Sequence, residues 1–176
     1  MLRYALYQYV PQRCLGRAPF ELQDLHRMIL AFKDGRNVYT RWAARRFAYA
    51  LSGMDMRDVA IACVPASTAY ADARRWKRFS HMLCTMTRAL DAYPHVHVAG
   101  SRTRAHVTGE HALAANIKHY VTIDLDWFRG RKVVVIDDII TTGQSSEAFI
   151  ALLKASGAQV VMALFLAKTT GFTKVP

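Results

Sequence analysis

The chain of 176 residues carries 24 Lys and Arg against 13 Asp and Glu, a formal net charge of +11. Its hydrophobic content of 52% is enough to fill the core of one domain, so we expect residues 1–176 to form a single domain. Within it, residues 1–20 are predicted to be an N-terminal extension that forms part of a hood. No apolar run reaches the roughly 18 residues that cross a bilayer, and the positive charge predicts polyanionic partners.

Cysteine usage and the N-terminal sequence predict a cytoplasmic location. The segment MLRYALYQYVPQRC has neither the apolar centre nor the cleavage site of a signal peptide. The three cysteines, Cys14, Cys63 and Cys84, have no C-x-x-C spacing, which argues against a disulfide framework or a structural zinc site. We therefore expect reduced thiols, with Cys63 and Cys84 as small core residues.

Hydrophobic periodicity predicts strands that alternate with helices. Helices are predicted over 21–33, 41–52, 78–92 and 147–156, and strands over 59–64, 95–99, 119–123, 132–136 and 159–167. The polar segment 100–116 is predicted to be a mobile loop. This alternation favours an α/β fold with a doubly wound parallel sheet flanked by helices.

The segment 133–146, VVVIDDIITTGQSS, is the most informative in the chain. Four branched apolar residues without alternation are typical of a parallel strand that is buried on both faces. Asp137 and Asp138 then lie at the carboxyl end of this strand, where open α/β sheets bind ligands. The helix that follows would direct its free N–H groups and the positive end of its dipole at the same place.

The turn after the two acids is predicted to bind a phosphate group. Gly143 lets the backbone approach the ligand, and the Thr142 and Ser145 hydroxyls can donate to phosphate oxygens. Two acids beside an anion are explained if they accept hydrogen bonds from a sugar diol, with a divalent cation nearby. The alternative is a strand, an Asp-rich turn and a Thr-capped helix without any ligand.

Residues 133–145 resemble the phosphoribosyl pyrophosphate signature of type I phosphoribosyltransferases: four apolar residues, two acids, two apolar residues, Thr-Thr-Gly, any residue, then Ser or Thr. Beyond residue 20 the chain is similar to the ComF-like branch of that family. The sequence features that they share include the Lys33-Asp34-Gly35 turn, the Val64-Pro65 step at the end of an apolar strand, and Asn116. It departs from that branch in reading Arg78-Phe79-Ser80 and Ala66-Ser67, and in lacking an N-terminal zinc ribbon. The resemblance implies a type I phosphoribosyltransferase-like fold.

The resemblance also implies a reaction, in which a nitrogen nucleophile displaces pyrophosphate from phosphoribosyl pyrophosphate with Mg²⁺ as the cofactor. Asp137 and Asp138 would be the catalytic acids, holding the ribose hydroxyls and the metal directly or through water. The remaining substrate-binding residues would be Thr141, Thr142, Gly143, Gln144 and Ser145 for the 5′-phosphate, and Ala66, Ser67, Thr68, Arg75, Lys77 and Arg78 for pyrophosphate.

The resemblance leaves the acceptor and the closing loop open. The loop 100–116 would close over the site, and His106 or His111 would then donate to the leaving group or else remain solvated loop residues. Hypoxanthine-guanine salvage enzymes of this class usually carry an acid where this chain has Thr141, which disfavours a 6-oxopurine acceptor. Other bases, ammonia and amines stay open.

Two functions are compatible with these sequence features. The first is a Mg²⁺-dependent phosphoribosyltransferase, which we expect to form a homo-oligomer. The second is a non-catalytic sensor of phosphoribosyl pyrophosphate, or a nucleic-acid-binding module related to DNA uptake. The basic clusters that raise the second possibility are Arg41, Arg45 and Arg46, then Arg74, Arg75, Lys77 and Arg78, then Arg102, Arg104 and His106, and finally Arg129, Arg131 and Lys132.

Overall fold

The structure, a computed structural model, describes residues 1–99 and 117–170, and a five-stranded parallel sheet lies at its centre. The strands of the described chain are β1 (Leu2–Tyr9), β2 (Val59–Cys63), β3 (Leu90–Asp91), β4 (Val96–Val98), β5 (Val121–Ile123), β6 (Lys132–Ile140) and β7 (Gln159–Thr169). The sheet has the order β1-β7-β6-β2-β3, and each neighbouring pair is parallel. The predicted parallel α/β architecture is confirmed.

Two strand predictions need correction. β4 and β5 were expected in the parallel sheet, but they form a separate antiparallel pair in which Val96 is opposite Ile123. Their partly exposed side chains suit an antiparallel pair that covers one face only. Within residues 1–20, predicted as an extension and part of a hood, β1 is instead an edge strand paired with β7. Its side chains are mostly exposed or half-buried, so its hydrophobic pattern is weak.

Helices cover both faces of the sheet. They are α1 (Phe20–Lys33), α2 (Asn37–Leu51), α3 (Ala69–Asp72), α4 (Arg78–Thr87), α5 (Leu125–Phe128) and α6 (Gln144–Ala155), with 3₁₀ turns at Gln12–Arg17, Tyr93–His95 and Ile117–His119 and a π-helical segment at Ala73–Lys77. The helix predicted over 78–92 ends earlier because Arg88 adopts a left-handed φ of 62°. Helical structure also begins earlier than predicted, at α3, where Thr68 is the N-cap.

Alternation along β6 divides the core into two layers. Val134 and Ile136 pack with α1, α2 and α4, a layer that contains Phe32 and Phe79. Val133 and Val135 pack with α5 and α6 in the layer that contains Phe149. Residues 133–136 of the central strand are therefore all buried, on one side or the other, which explains the unbroken apolar run.

One prediction falls outside this description. The loop 100–116, with His106 and His111, lies outside the described residues. Among the helices that are described, none is long and apolar enough to cross a membrane.

The turn between α1 and α2 packs against the π-helical segment. Gly35 has a φ of +68°, and an added Cβ would overlap the carbonyl oxygen of Arg74. Arg74 also forms a 3.1 Å ion pair with Asp34, and Arg75 Nε donates to the Lys33 carbonyl oxygen at 3.5 Å. These contacts hold the side chains of Lys33 and Arg75 near each other.

We therefore expect Gly35→Ala to destabilise the fold by about 2 kcal/mol or more, from the left-handed dihedral and the overlap with Arg74. Gly53→Ala is the matched control, because a Cβ there meets nothing within 4 Å. Its effect should stay within about 1 kcal/mol. Denaturant unfolding of the two variants measures the difference, and equal stabilities would contradict the close packing of this turn.

Candidate functional site

A cleft of about 340 Å³ opens at the carboxyl ends of β2 and β6. It is lined by Lys33, Val64, Pro65, Ala66, Ser67, Arg75 and residues 137–146. The predicted acids and the whole predicted phosphate turn therefore meet Ala66, Ser67 and Arg75 in one place. Thr68, Lys77 and Arg78, which were predicted with them, are not part of the lining.

The turn between β6 and α6 owes its shape to Gly143, which has a φ of 82° and is the N-cap of α6. Its carbonyl oxygen accepts from Glu147 N at 2.9 Å and from the Ser146 hydroxyl at 2.8 Å. An added Cβ would lie 3.5 Å from Ile140 Cδ1, an ordinary contact, so the backbone angle requires glycine here, rather than a lack of space. The turn presents the positive end of α6 to the cleft.

Asp138 is buried, with 4% of its surface exposed, and it is surrounded by cations. Its Oδ2 lies 2.7 Å from Arg75 Nη1, and its Oδ1 lies 3.5 Å from Lys33 Nζ. The Arg75 contact is an ion pair rather than a well-directed hydrogen bond. Oδ1 also accepts from the Ile139 amide at 2.6 Å. Because Asp138 has these partners, its charge is compensated inside the protein.

Asp137 has different surroundings, although it is the next residue in the strand. It is half-buried at the cleft, and its Oδ1 accepts from the Asp138 amide at 2.8 Å. Burial raises the pKa of Asp137 well above its ordinary value, and the neighbouring charge of Asp138 raises it further. Arg75 and Lys33 oppose this shift but do not cancel it.

In the loop between β2 and α3, two of the three residues predicted to bind pyrophosphate have partners within the protein. The Ala66 amide, which was expected to receive pyrophosphate, donates at 2.8 Å to Oδ1 of Asp72. Asp72 is a buried carboxyl whose pKa is raised chiefly by desolvation. Ser67 is exposed at the cleft, whereas the Thr68 hydroxyl accepts from Ala71 N at 3.1 Å and caps α3. Ser67 is therefore the residue of this loop whose side chain is exposed to a ligand.

Arg75, in the π-helical segment, lines the cleft, whereas the neighbouring cations Lys77 and Arg78 do not. Trp76 is fully buried, and the Arg75 guanidinium, which pairs with Asp138, lies 5.5 Å from the centre of its ring. Arg78, in contrast, donates to Asn37 Oδ1 at 2.6 Å on the exposed surface. Of the predicted pyrophosphate cations, Arg75 alone lines the cleft, because one turn of helix cannot present all of them to the same side.

Sequence reasoning missed Lys33 and Ser146 as lining residues. Lys33 was noted only as part of a turn, and its position at the end of α1 does not reveal that this end meets β6. The Thr141 hydroxyl, which was expected to bind phosphate, lies 2.8 Å from the Thr169 hydroxyl of β7. Side-chain contacts of this kind join residues that are distant in sequence.

Comparison with protein families gives one match, in which the sequence profile of the phosphoribosyl transferase domain covers residues 93–173. The match includes β6, the phosphate turn, α6 and β7, and it covers a little under half of the chain. It supports the resemblance to phosphoribosyltransferases over these residues, while the narrower ComF-like branch stays a prediction. Comparison with curated proteins finds no match.

Several solved structures resemble the chain weakly. Adenine phosphoribosyltransferase from Rhodothermus marinus is 18% identical over 76% of this chain and 69% of its own, with a TM-score of 0.46. The enzyme of the same name from Saccharomyces cerevisiae is 20% identical over 88% and 72%, with a TM-score of 0.42. UMP synthase from Leishmania donovani is 16% identical over 89% and 38%, with a TM-score of 0.47. These likenesses are too weak to identify a ligand.

The raised pKa of Asp137 predicts a pH-dependent stability. The native state holds this proton to higher pH than the unfolded chain, so stability falls as pH rises from about 4 through the raised pKa. Asp137→Asn removes the cost of the buried charge, and its melting temperature should rise relative to the parent protein as pH increases above about 4. Asp126→Asn, at a side chain that is 86% exposed, is the control. A difference that is constant with pH would contradict the shift.

Proposed function

We propose that this protein is a phosphoribosyltransferase, which binds phosphoribosyl pyrophosphate and transfers the phosphoribosyl group to a nitrogen nucleophile. The observation that carries the proposal is the cleft itself. A left-handed Gly143 turn at a helix N-terminus lines the same cleft as Lys33, Arg75 and Asp137. The family match over residues 93–173 includes the turn and the acids.

Each part of the ligand has a matching part of the cleft. The 5′-phosphate fits the turn 141–145, where hydroxyls and the amino end of α6 favour an anion. The ribose hydroxyls fit the carboxylate of Asp137, which accepts hydrogen bonds. The pyrophosphate fits Arg75, Lys33 and the exposed Ser67, which line the same cleft.

The proposed reaction forms one bond and breaks one bond at the anomeric carbon. The nitrogen lone pair forms the carbon–nitrogen bond while the bond to pyrophosphate breaks, and the leaving pyrophosphate takes that electron pair. The proton lost by the nitrogen passes to the released pyrophosphate or to water. Arg75 and Lys33 contribute by stabilising the negative charge that develops on the leaving group.

Mg²⁺ fits this cleft only as an ion shared with the ligand. Among the described residues, no group of three or more His, Cys, Asp and Glu side chains could hold a metal. Mg²⁺ commonly binds one or two carboxylates together with substrate phosphates and water, and Asp137 is the carboxylate available for that arrangement. When bound, the ion would neutralise charge on the pyrophosphate.

The acceptor belongs to the class of nitrogenous bases, ammonia and amines. Thr141 supplies no acid for a purine ring, and its hydroxyl already contacts Thr169. We also propose that the protein is a homo-oligomer of the ComF-like branch, on the resemblance, and that it is cytoplasmic, on its cysteine usage.

The test is release of pyrophosphate from phosphoribosyl pyrophosphate with Mg²⁺ and a panel of acceptors. Gly143→Ala should reduce this release at least tenfold, because a left-handed dihedral costs about 1–2 kcal/mol and the turn must relax. Gly130→Ala is the matched control, since Gly130 has a φ of +71° with open space around it and is not part of the cleft lining. It should lose similar stability and keep its rate within about twofold. Binding without release in the parent protein would favour a sensor.

A second candidate, nucleic-acid binding, is supported by one surface on α2. A groove of about 690 Å³ there is lined by Asn37, Val38, Arg41, Trp42, Arg45, Arg46 and Tyr49. Residues 35–54 contain no acid, so like charges such as Arg41 and Arg45 repel each other one helical turn apart. Arginines beside the exposed ring of Tyr49 suit phosphates and stacked bases. Arg74, Arg75 and Arg78 are instead paired within the molecule.

If α2 binds nucleic acid, affinity for a single-stranded oligonucleotide should fall steeply with salt. Changing Arg41, Arg45 and Arg46 together to Gln should reduce the slope of log affinity against log salt by about 2. A control variant changes three arginines that lie in surface ion pairs, namely Arg27, Arg57 and Arg129. An equal loss of slope in both variants would attribute binding to net charge and not to this groove.

A further inference from the structure

The two adjacent acids of β6 face different parts of the protein. Successive side chains of a strand point to opposite faces, so Asp138 shares its face with Ile136 and the α1 layer. Asp137 shares its face with Val135 and the layer that contains α6. The turn that precedes α6 is the proposed 5′-phosphate site, and a ribose lies directly beside its own 5′-phosphate.

We infer that the acids have separate roles, a conclusion that rests on the proposed function. Asp137 is the acid that binds the ribose hydroxyls. Asp138 is the internal counter-ion of Arg75 and Lys33, and the pyrophosphate of the ligand displaces it from Arg75. This replaces the expectation that both acids bind ribose in the same way.

The contacts of each acid support this division. Asp138 has 4% of its surface exposed, and both of its oxygens face protein cations, at 2.7 Å and 3.5 Å. Asp137 uses Oδ1 to accept from the Asp138 amide, and in the described part of the chain its other oxygen has no hydrogen bond from protein. One acid is therefore already neutralised, and the other keeps an acceptor for a ligand.

Exchange at Arg75 follows from its position. The Arg75 side chain is only 16% exposed, so its charge needs a partner before any ligand arrives, and Asp138 supplies that partner. Arg75 also lines the cleft, where a pyrophosphate group offers more charge and more acceptor oxygens than one carboxylate. After the exchange Lys33 still lies 3.5 Å from Asp138 Oδ1 at the edge of the cleft, so its charge is shared between this carboxylate and the bound pyrophosphate.

Two probes separate the two roles. Ribose 5-phosphate carries the hydroxyls without pyrophosphate, and inorganic pyrophosphate in EDTA lacks both the hydroxyls and the metal. Asp137→Asn should weaken ribose 5-phosphate binding about tenfold or more and leave pyrophosphate binding within about twofold. Asp138→Asn should leave ribose 5-phosphate within about twofold and bind pyrophosphate about threefold or more tightly. Arg75→Gln should lose pyrophosphate binding about tenfold.

A stability cycle tests the ion pair without any ligand. Arg75→Gln alone should lower the melting temperature, because the buried Asp138 loses its nearer partner. Adding Asp138→Asn to that variant should restore most of the loss, which gives a coupling between the two positions. The exposed pair Arg57 and Asp55, with a contact of 2.6 Å, is the matched control and should show little coupling.

Three results would overturn the inference. They are an Asp138→Asn variant that loses ribose 5-phosphate as strongly as Asp137→Asn does, an Asp138→Asn variant that binds pyrophosphate more weakly, and a cycle without coupling. If the parent protein binds neither probe, the proposed function fails and the ribose role of Asp137 fails with it. In that case, coupling in the stability cycle would show that the ion pair of Asp138 and Arg75 is correctly assigned although the proposed function is wrong.

Discussion

The ion cluster of Asp138, Arg75 and Lys33 joins three parts of the chain that are far apart in sequence. It links the end of α1, the π-helical segment and the carboxyl end of β6. Buried ion pairs seldom add net stability, because removing both charges from water costs about as much as their attraction returns. The role of this cluster is therefore better explained by ligand binding than by stability. It keeps the cations Arg75 and Lys33 in place at the cleft, beside an acid whose charge they neutralise.

Apolar packing and one tight turn hold this cluster in position. Gly35 lets the α1–α2 turn approach the backbone of Arg74, and Trp76 anchors the π-helical segment in the core next to Phe32 and Phe79. Because these contacts fix the residues on both sides of Arg75, its guanidinium has little conformational freedom. The cation wall of the cleft is thus a consequence of packing in the α1 layer, on the opposite side of the sheet from α6.

The positive charge of the chain divides into two populations. Arg74, Arg75 and Arg78 contact Asp34, Asp138 and Asn37, so their charges are used within the fold. The arginines of α2 belong to a stretch without any acid and line an open groove. A net charge of +11 is therefore no guide to a single partner, because position decides which arginines are available.

The sequence by itself determined the order of strand, acid pair, turn and helix within residues 132–155, because consecutive residues form this unit and each local preference agrees with the next. The bounds differ from the prediction, since β6 continues through the acids to Ile140 and α6 begins at Gln144 instead of residue 147. Gly143 at the helix start and the run of valines required no distant information. Only the tertiary structure placed β1 beside β7, paired β4 with β5, and selected Arg75 and Lys33 instead of Lys77 and Arg78. Those outcomes depend on contacts between residues far apart in the chain, and hydrophobic periodicity carries no record of which surfaces meet.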